Sequence, residues 1–109
     1  MGIDKTKVKQ RMYTFGRFVD AGRNHFGLTT SAHHVWLILW RHADLDGYCT
    51  LSHSRIVEST GLSLPTVKRC IKQLIEKKAI TRVVQGTSKK GVSLYRLQYF
   101  EKSQQLVSP

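Results

Sequence analysis

Residues Ser59 to Leu74 read STGLSLPTVKRCIKQL, and the step from Gly61 to Ser63 decides how the rest of the chain is read. Gly61 is a left-handed helix stop and Ser63 is a helix cap two residues later, so one helix ends and another starts with almost no linker. Pro65 falls in the first turn of the new helix, where its missing N–H costs little. Leu64, Val67, Ile71, Leu74 and Ile75 repeat at helical spacing and form its expected buried stripe. Thr66, Lys68, Arg69, Lys72, Gln73 and Glu76 are left outside, so the exposed side is mostly basic and polar.

Working upstream, Ser52 caps a helix over about His53 to Thr60, with Ile56 and Val57 facing inward. Before it, YCT at Tyr48–Thr50 has strand character, and DLDGY turns the chain at Asp46-Gly47. SAHHVWLILWRHAD, with Thr29, Thr30 or Ser31 as cap, makes a helix to about Ala43. Ala32, Val35, Trp36, Leu39, Trp40 and Ala43 lie at helical spacing, and Leu37 and Ile38 make it apolar on most sides, so it belongs at the centre. Trp36 and Trp40 are expected in the core. Downstream, AITRVVQ and VSLYRLQ are strands rich in β-branched and aromatic residues, with Tyr95 and Leu97 turned inward. GTSKKG joins them as a polar hairpin.

The expected fold class is α+β, mainly helical, with a three-helix core and a C-terminal β-hairpin. The expected divisions are a basic N-terminal extension over 1–28, partly docked on the core, a central domain over 29–98 and a polar tail over 99–109. Periodicity in 1–28 is too poor to assign secondary structure. Its apolar residues Tyr13, Phe15, Phe18, Val19 and Phe26 leave two readings open: a two-fold homodimer contact, or a cover for the monomer's own core.

The 109 residues carry 18 Lys+Arg against 7 Asp+Glu, a formal charge of +11. From Leu64 to Arg96 nine basic residues stand against Glu76 alone, a net +8, whereas Thr29–Ser63 has two basic and three acidic residues, a net −1. Positive charge gathered on one helix and one hairpin points to an anionic partner, nucleic acid before membrane. A merely solvated face mixes signs more evenly.

The order of helix, short strand, helix, tight turn, helix and basic hairpin resembles the winged helix-turn-helix, over about Thr29 to Leu97. Within that superfamily, the helix LTTSAHHVWLILWRHAD and the capped turn STGLSLPTVKR most resemble DNA-binding domains of phage and plasmid replication proteins and of small transcription regulators. The resemblance implies a sequence-specific DNA-binding protein acting in transcription regulation or in replication of the plasmid or phage type. Its recognition helix, 64–78, would enter the major groove, and its wing, 86–91, would meet the backbone or the minor groove. It places Ser63, Thr66, Arg69 and Lys72 in or beside the major groove, and Ser52, His53, Lys89 and Lys90 on the backbone. Lys68, Gln73 and Arg82 complete the expected DNA-binding residues. The sequence departs from the family at Lys78, where a helix-ending glycine is common; a left-handed lysine there costs about 1 kcal/mol.

Other functions find little support. Cys49 and Cys70 are too few for a disulfide framework and are expected reduced, in the cytoplasm. The five histidines and two cysteines show no metal-ligand spacing, so no metal or cofactor is expected. Neither a nucleophile with its base nor a carboxylate pair appears, so no enzyme activity and no small-molecule substrate are expected. No signal peptide is visible, VWLILW at 35–40 is too short to span a bilayer, and the partial myristoylation pattern at Gly2 is discounted. The rival function is a winged-helix protein-interaction module with an acidic partner. RNA binding ranks below both, because the stacking aromatics it needs are committed to the core.

Overall fold

The computed structural model describes residues 5–84 and 92–98. The chain runs α1 (Lys5–Arg17), a π-helical turn (Phe18–Gly22), α2 (Arg23–Phe26), α3 (Thr30–His42), β1 (Tyr48–Ser52), α4 (His53–Thr60), α5 (Leu64–Glu76), β2 (Ile80–Val84) and β3 (Val92–Leu97). Among the described residues, no helix is long and apolar enough to cross a membrane.

Each expected cap forms. Thr29 caps α3 by accepting from Ala32 N, Ser52 caps α4 by accepting from Arg55 N, and Ser63 caps α5 by accepting from Thr66 N. Gly61 ends α4 at φ 74°, in the left-handed region where a side chain would be strained. The corner between α4 and α5 is therefore built from Gly61, Leu62 and Ser63. Thr60 tightens it, donating from Oγ1 to Ile56 O (2.7 Å) and accepting from Leu62 N (3.2 Å).

The sheet has the order β1-β3-β2, antiparallel throughout. The piece first seen as YCT is thus the third strand of the hairpin's sheet, and it extends to Ser52. β3 is central: Tyr95 faces Cys49 on one side and Arg82 on the other. Period-two alternation buries Ser93, Tyr95 and Leu97 on one face and leaves Arg96 exposed on the other. An irregularity shifts the register between Arg82 and Val84. At the turn before β1, Asp44 Oδ1 accepts from Asp46 N and Tyr48 N. Gly47 follows at φ 88°, and a Cβ there would stand 2.8 Å from Leu97 O.

α3 forms the centre of the core, with Ala32, Val35, Trp36 and Leu39 buried against Ile56, Val67, Ile71, Leu74, Tyr95 and Leu97. Three residues sit differently from their sequence-based places, among them Ile75, which is only partly buried at the edge of the α5 stripe. Leu64 is not part of the buried stripe of α5: it is 43% exposed, because the first turn projects past the core, and Cys70 fills the stripe instead. Trp40 is only half-buried, at the junction with α1.

That junction gives the N-terminal residues a structure. α1 lies against the end of α3, where the Arg11 guanidinium sits 3.9 Å over the Trp40 ring and donates to Trp40 O (2.8 Å). Trp40 Nε1 donates back to Arg11 O (3.3 Å), and Phe15 stacks on the same ring at 4.3 Å. Phe18 is fully buried, stacked on Trp36 at 3.6 Å. The π-helical turn lays this ring over Gly22, where a Cβ would come within 2.6 Å of it. Phe15 and Phe18 are therefore spent within the monomer, which favours the core-covering reading of this segment over the homodimer contact.

α5 is shorter than the helix expected over 64–78. It ends at Glu76, with Lys77 as cap and Lys78 at φ 64°. Lys78 N donates to Ile75 O (3.0 Å) and Ala79 N to Leu74 O (2.9 Å), the paired bonds of a Schellman motif. The fold thus takes the left-handed conformation with a lysine in the place of glycine. Lys78→Gly is expected to raise stability by up to about 1 kcal/mol, read as the shift in denaturant midpoint. An unchanged or lowered midpoint would mean that the lysine side chain compensates for its backbone.

Candidate nucleic-acid interface

The core side of α5 is defined by Val67, Cys70, Ile71 and Leu74, all buried. At about 100° per residue, the opposite side carries Pro65, Arg69, Lys72 and Glu76, all exposed. Thr66 and Gln73 lie on one shoulder of this face, and Lys68 with Ile75 on the other. The helix therefore offers a polar, mainly basic ridge with Arg69 and Lys72 at its crest.

A chain of hydrogen bonds runs along the first shoulder. Ser63 Oγ donates to Thr66 Oγ1 (2.8 Å), and Arg69 Nη2 donates to the same Thr66 oxygen (3.2 Å). The guanidinium is thereby held along the helix surface rather than consumed by a carboxylate. Gln73, further along this shoulder, has its carbonyl turned inward: Oε1 accepts from Thr29 N (2.9 Å) and Thr29 Oγ1 (3.2 Å). Gln73 thus ties α5 to the start of α3, and only its amide end remains for an outside contact. Thr29, Ser31, Thr66, Arg69, Cys70 and Gln73 line a shallow cleft on this side.

The second shoulder faces β2. Here His53, Lys68, Lys72, Ile75, Glu76 and Arg82 line another open cleft. Lys72 Nζ lies 4.0 Å from Glu76 Oε1, both well exposed, a pairing worth a few tenths of a kcal/mol at most. The Arg82 guanidinium lies 5.7 Å over the ring of Tyr95. Burial foremost, then Lys68 and Arg82, hold His53 protonation below its ordinary value of 6.5. Ser52, beside it, is half-buried and engaged as the α4 cap.

Lys89 and Lys90 lie outside the described residues, as does the wing tip between β2 and β3. The sequence reading missed two exposed residues at this face. Leu64 and Pro65 stand at the leading end of α5, where an apolar contact could be offered to a partner. Only the first-turn position of Leu64 signalled this, since its spacing matches the buried stripe.

Cys49 has no part in this surface, and Cys70 meets it only in the cleft beside Thr29. Both cysteines are free and buried, and burial with Asp44 nearby pushes the Cys49 thiol up to about 11. Cys70 is also raised by burial, against the opposing pull of Arg69. Among the described residues, no group of three or more His, Cys, Asp or Glu side chains is placed to hold a metal ion.

Residues 27–80 match the family model described as a helix-turn-helix domain. A solved structure described as "Possible transcriptional regulator from Methanosarcina mazei Go1" superposes with a TM-score of 0.55 at 22% identity, over 72% of this chain and 63% of that one. The chain therefore spans less than two thirds of that neighbour's length. No curated protein matches significantly. The match begins just before the cap of α3 and ends as β2 starts, so it spans the three core helices and the Gly61–Ser63 corner. With the three-stranded sheet added to that helical core, the chain has a winged helix-turn-helix fold, and its residues 27–80 are similar to the helix-turn-helix domain family.

Proposed function

We propose that the chain is a sequence-specific double-stranded DNA-binding protein that acts in transcription regulation. The observation that carries this reading is the crest of α5. Arg69 and Lys72 stand exposed there, directly opposite the buried stripe, with Lys68 on the flank and Arg82 on the adjoining strand. The helix-turn-helix match and the regulator-like neighbour support the same class. In this reading α5 enters the major groove from its Ser63 end. Arg69 meets a guanine edge, and Thr66 and Lys72 lie beside the groove. Ser52, His53, Lys68, Arg82, Lys89 and Lys90 face the backbone, with the wing reaching the neighbouring minor groove. Gln73 contributes through its amide end, and Leu64 offers an apolar contact suited to a thymine methyl. The same chemistry serves an accessory of plasmid- or phage-type replication, which a selection of bound sequences from a random duplex pool distinguishes by the sites it returns.

Arg69→Ala tests this reading. The planar guanidinium matches guanine O6 and N7 together better than a lysine ammonium does. The substitution is expected to cost about 1–3 kcal/mol on the selected site and to relax the preference there. Thermal stability should barely move, because the side chain is exposed. Equal affinity of parent and variant for every duplex would remove α5 as the reader. A protein that shifts no duplex at low salt but retains an acidic protein partner would be the interaction module instead.

A further inference from the structure

The cleft between α4, α5 and β2 has a feature that a general basic surface lacks. His53 Nε2 and Arg82 Nε are both shielded from solvent, and neither has a hydrogen-bond partner among the described residues. Shielded polar nitrogens without partners are costly, and an incoming acceptor relieves that cost. The same cleft is lined by the exposed Lys68 and Lys72, so its open side already favours an anion. His53 is also the first residue of α4, where N–H groups and the helix dipole add to the positive potential.

We propose that this cleft seats one backbone phosphate of the duplex, and that seating it loads a proton onto His53. The inference rests on the DNA-binding reading and deepens it by making affinity depend on pH. The charged neighbours of His53 determine the sign. From α5 come Lys68, Lys72 and Glu76, and from β2 comes Arg82. On α4 itself Arg55 and Glu58 are exposed. From β1, Cys49 is neutral, with its thiol pushed up to about 11. Glu76, the single carboxylate lining the cleft among the described residues, lies 4.0 Å from Lys72. In the free protein burial and the neighbouring cations therefore disfavour the imidazolium. A phosphate oxygen in the cleft reverses that balance, because it offers the imidazolium an opposite charge and a hydrogen-bond acceptor.

The source is a duplex backbone rather than a free ion. The cleft is open to solvent and flanks the crest of α5, so a strand lying along the helix passes over it, whereas a captured small anion calls for enclosure. The sign of the linkage follows: if the His53 pKa is higher in the complex than in the free protein, binding takes up a proton and strengthens as pH falls through the interval between the two values.

The test is the titration of the His53 imidazole by NMR in the full chain, with His53→Gln used to assign its signal among the five histidines. It is followed alone, with inorganic phosphate, and with a mixed-sequence duplex at matched phosphate concentration. The free value should lie below 6.5. The duplex should raise it, and inorganic phosphate should not. Duplex affinity should rise as pH falls from about 7.5 to about 5.5, by about tenfold for each unit of that pKa shift, and His53→Gln should lose this increment. Duplex binding with an unmoved His53 titration overturns this proposal alone. An equal shift with inorganic phosphate also overturns it, because the site is then one for free anions. A chain that binds no duplex at any pH overturns the DNA-binding reading together with it.

Discussion

Phe18→Ala is expected to lower the unfolding free energy by about 3–5 kcal/mol, the range for removing a large buried aromatic side chain. The ring is fully buried and lies between Trp36 at 3.6 Å, His33 at 5.0 Å and Phe26 at 5.8 Å. Its backbone is engaged as well, since Phe18 O accepts from His33 Nε2 (3.0 Å). Domains of this size are typically stable by about 5–15 kcal/mol, so the loss is a large part of the total. Denaturant unfolding followed by tryptophan fluorescence gives the measurement, because Trp36 reports on that contact. A midpoint close to that of the parent would show that residues before Leu28 are an appendage rather than part of the core.

The affinity for a duplex is expected to fall by roughly a thousandfold for a fourfold rise in salt concentration. That figure follows from about five to seven phosphate contacts, for which log K falls with log[salt] at a slope of roughly −4.5 to −6. The available cations include Lys68, Arg69 and Lys72 on α5 and Arg82 on β2, with Lys89 and Lys90 in the wing sequence. Titrations of a mixed-sequence duplex at several salt concentrations give the slope directly. A slope near zero would separate the basic surface from phosphate binding and return the protein-interaction reading to first place. Lowering the pH at fixed salt should shift the same curves if His53 gains its proton in the complex.

Local chemistry made much of the fold legible. Ser52 and Ser63 each cap the helix that their side chains announce, Thr29 is the one of three candidates that caps α3, and Gly61 stops α4 where a left-handed residue is needed. The crest of α5 was legible for the same reason: helical periodicity alone separates Arg69 and Lys72 from Val67 and Ile71. Where packing decides, spacing misled. Leu64 fits the apolar repeat yet stands exposed, because burial depends on where the first turn of α5 lies relative to the core.

The sequence by itself determined the winged helix-turn-helix order of elements, the corner at Gly61–Ser63 and the concentration of charge, since caps, turns and periodicity act over a few residues. Tertiary structure alone decided three further matters. It folded residues 5–26 into helices held by Phe18 and the Arg11–Trp40 contact, which depend on partners far along the chain. It turned Gln73 inward onto Thr29, a bond spanning 44 residues that no local pattern encodes. It also brought His53, Lys68 and Arg82 around one cleft from three different elements. Burial and electrostatic coupling are properties of that assembled surface, so the strand and helix patterns that built it gave no sign of them.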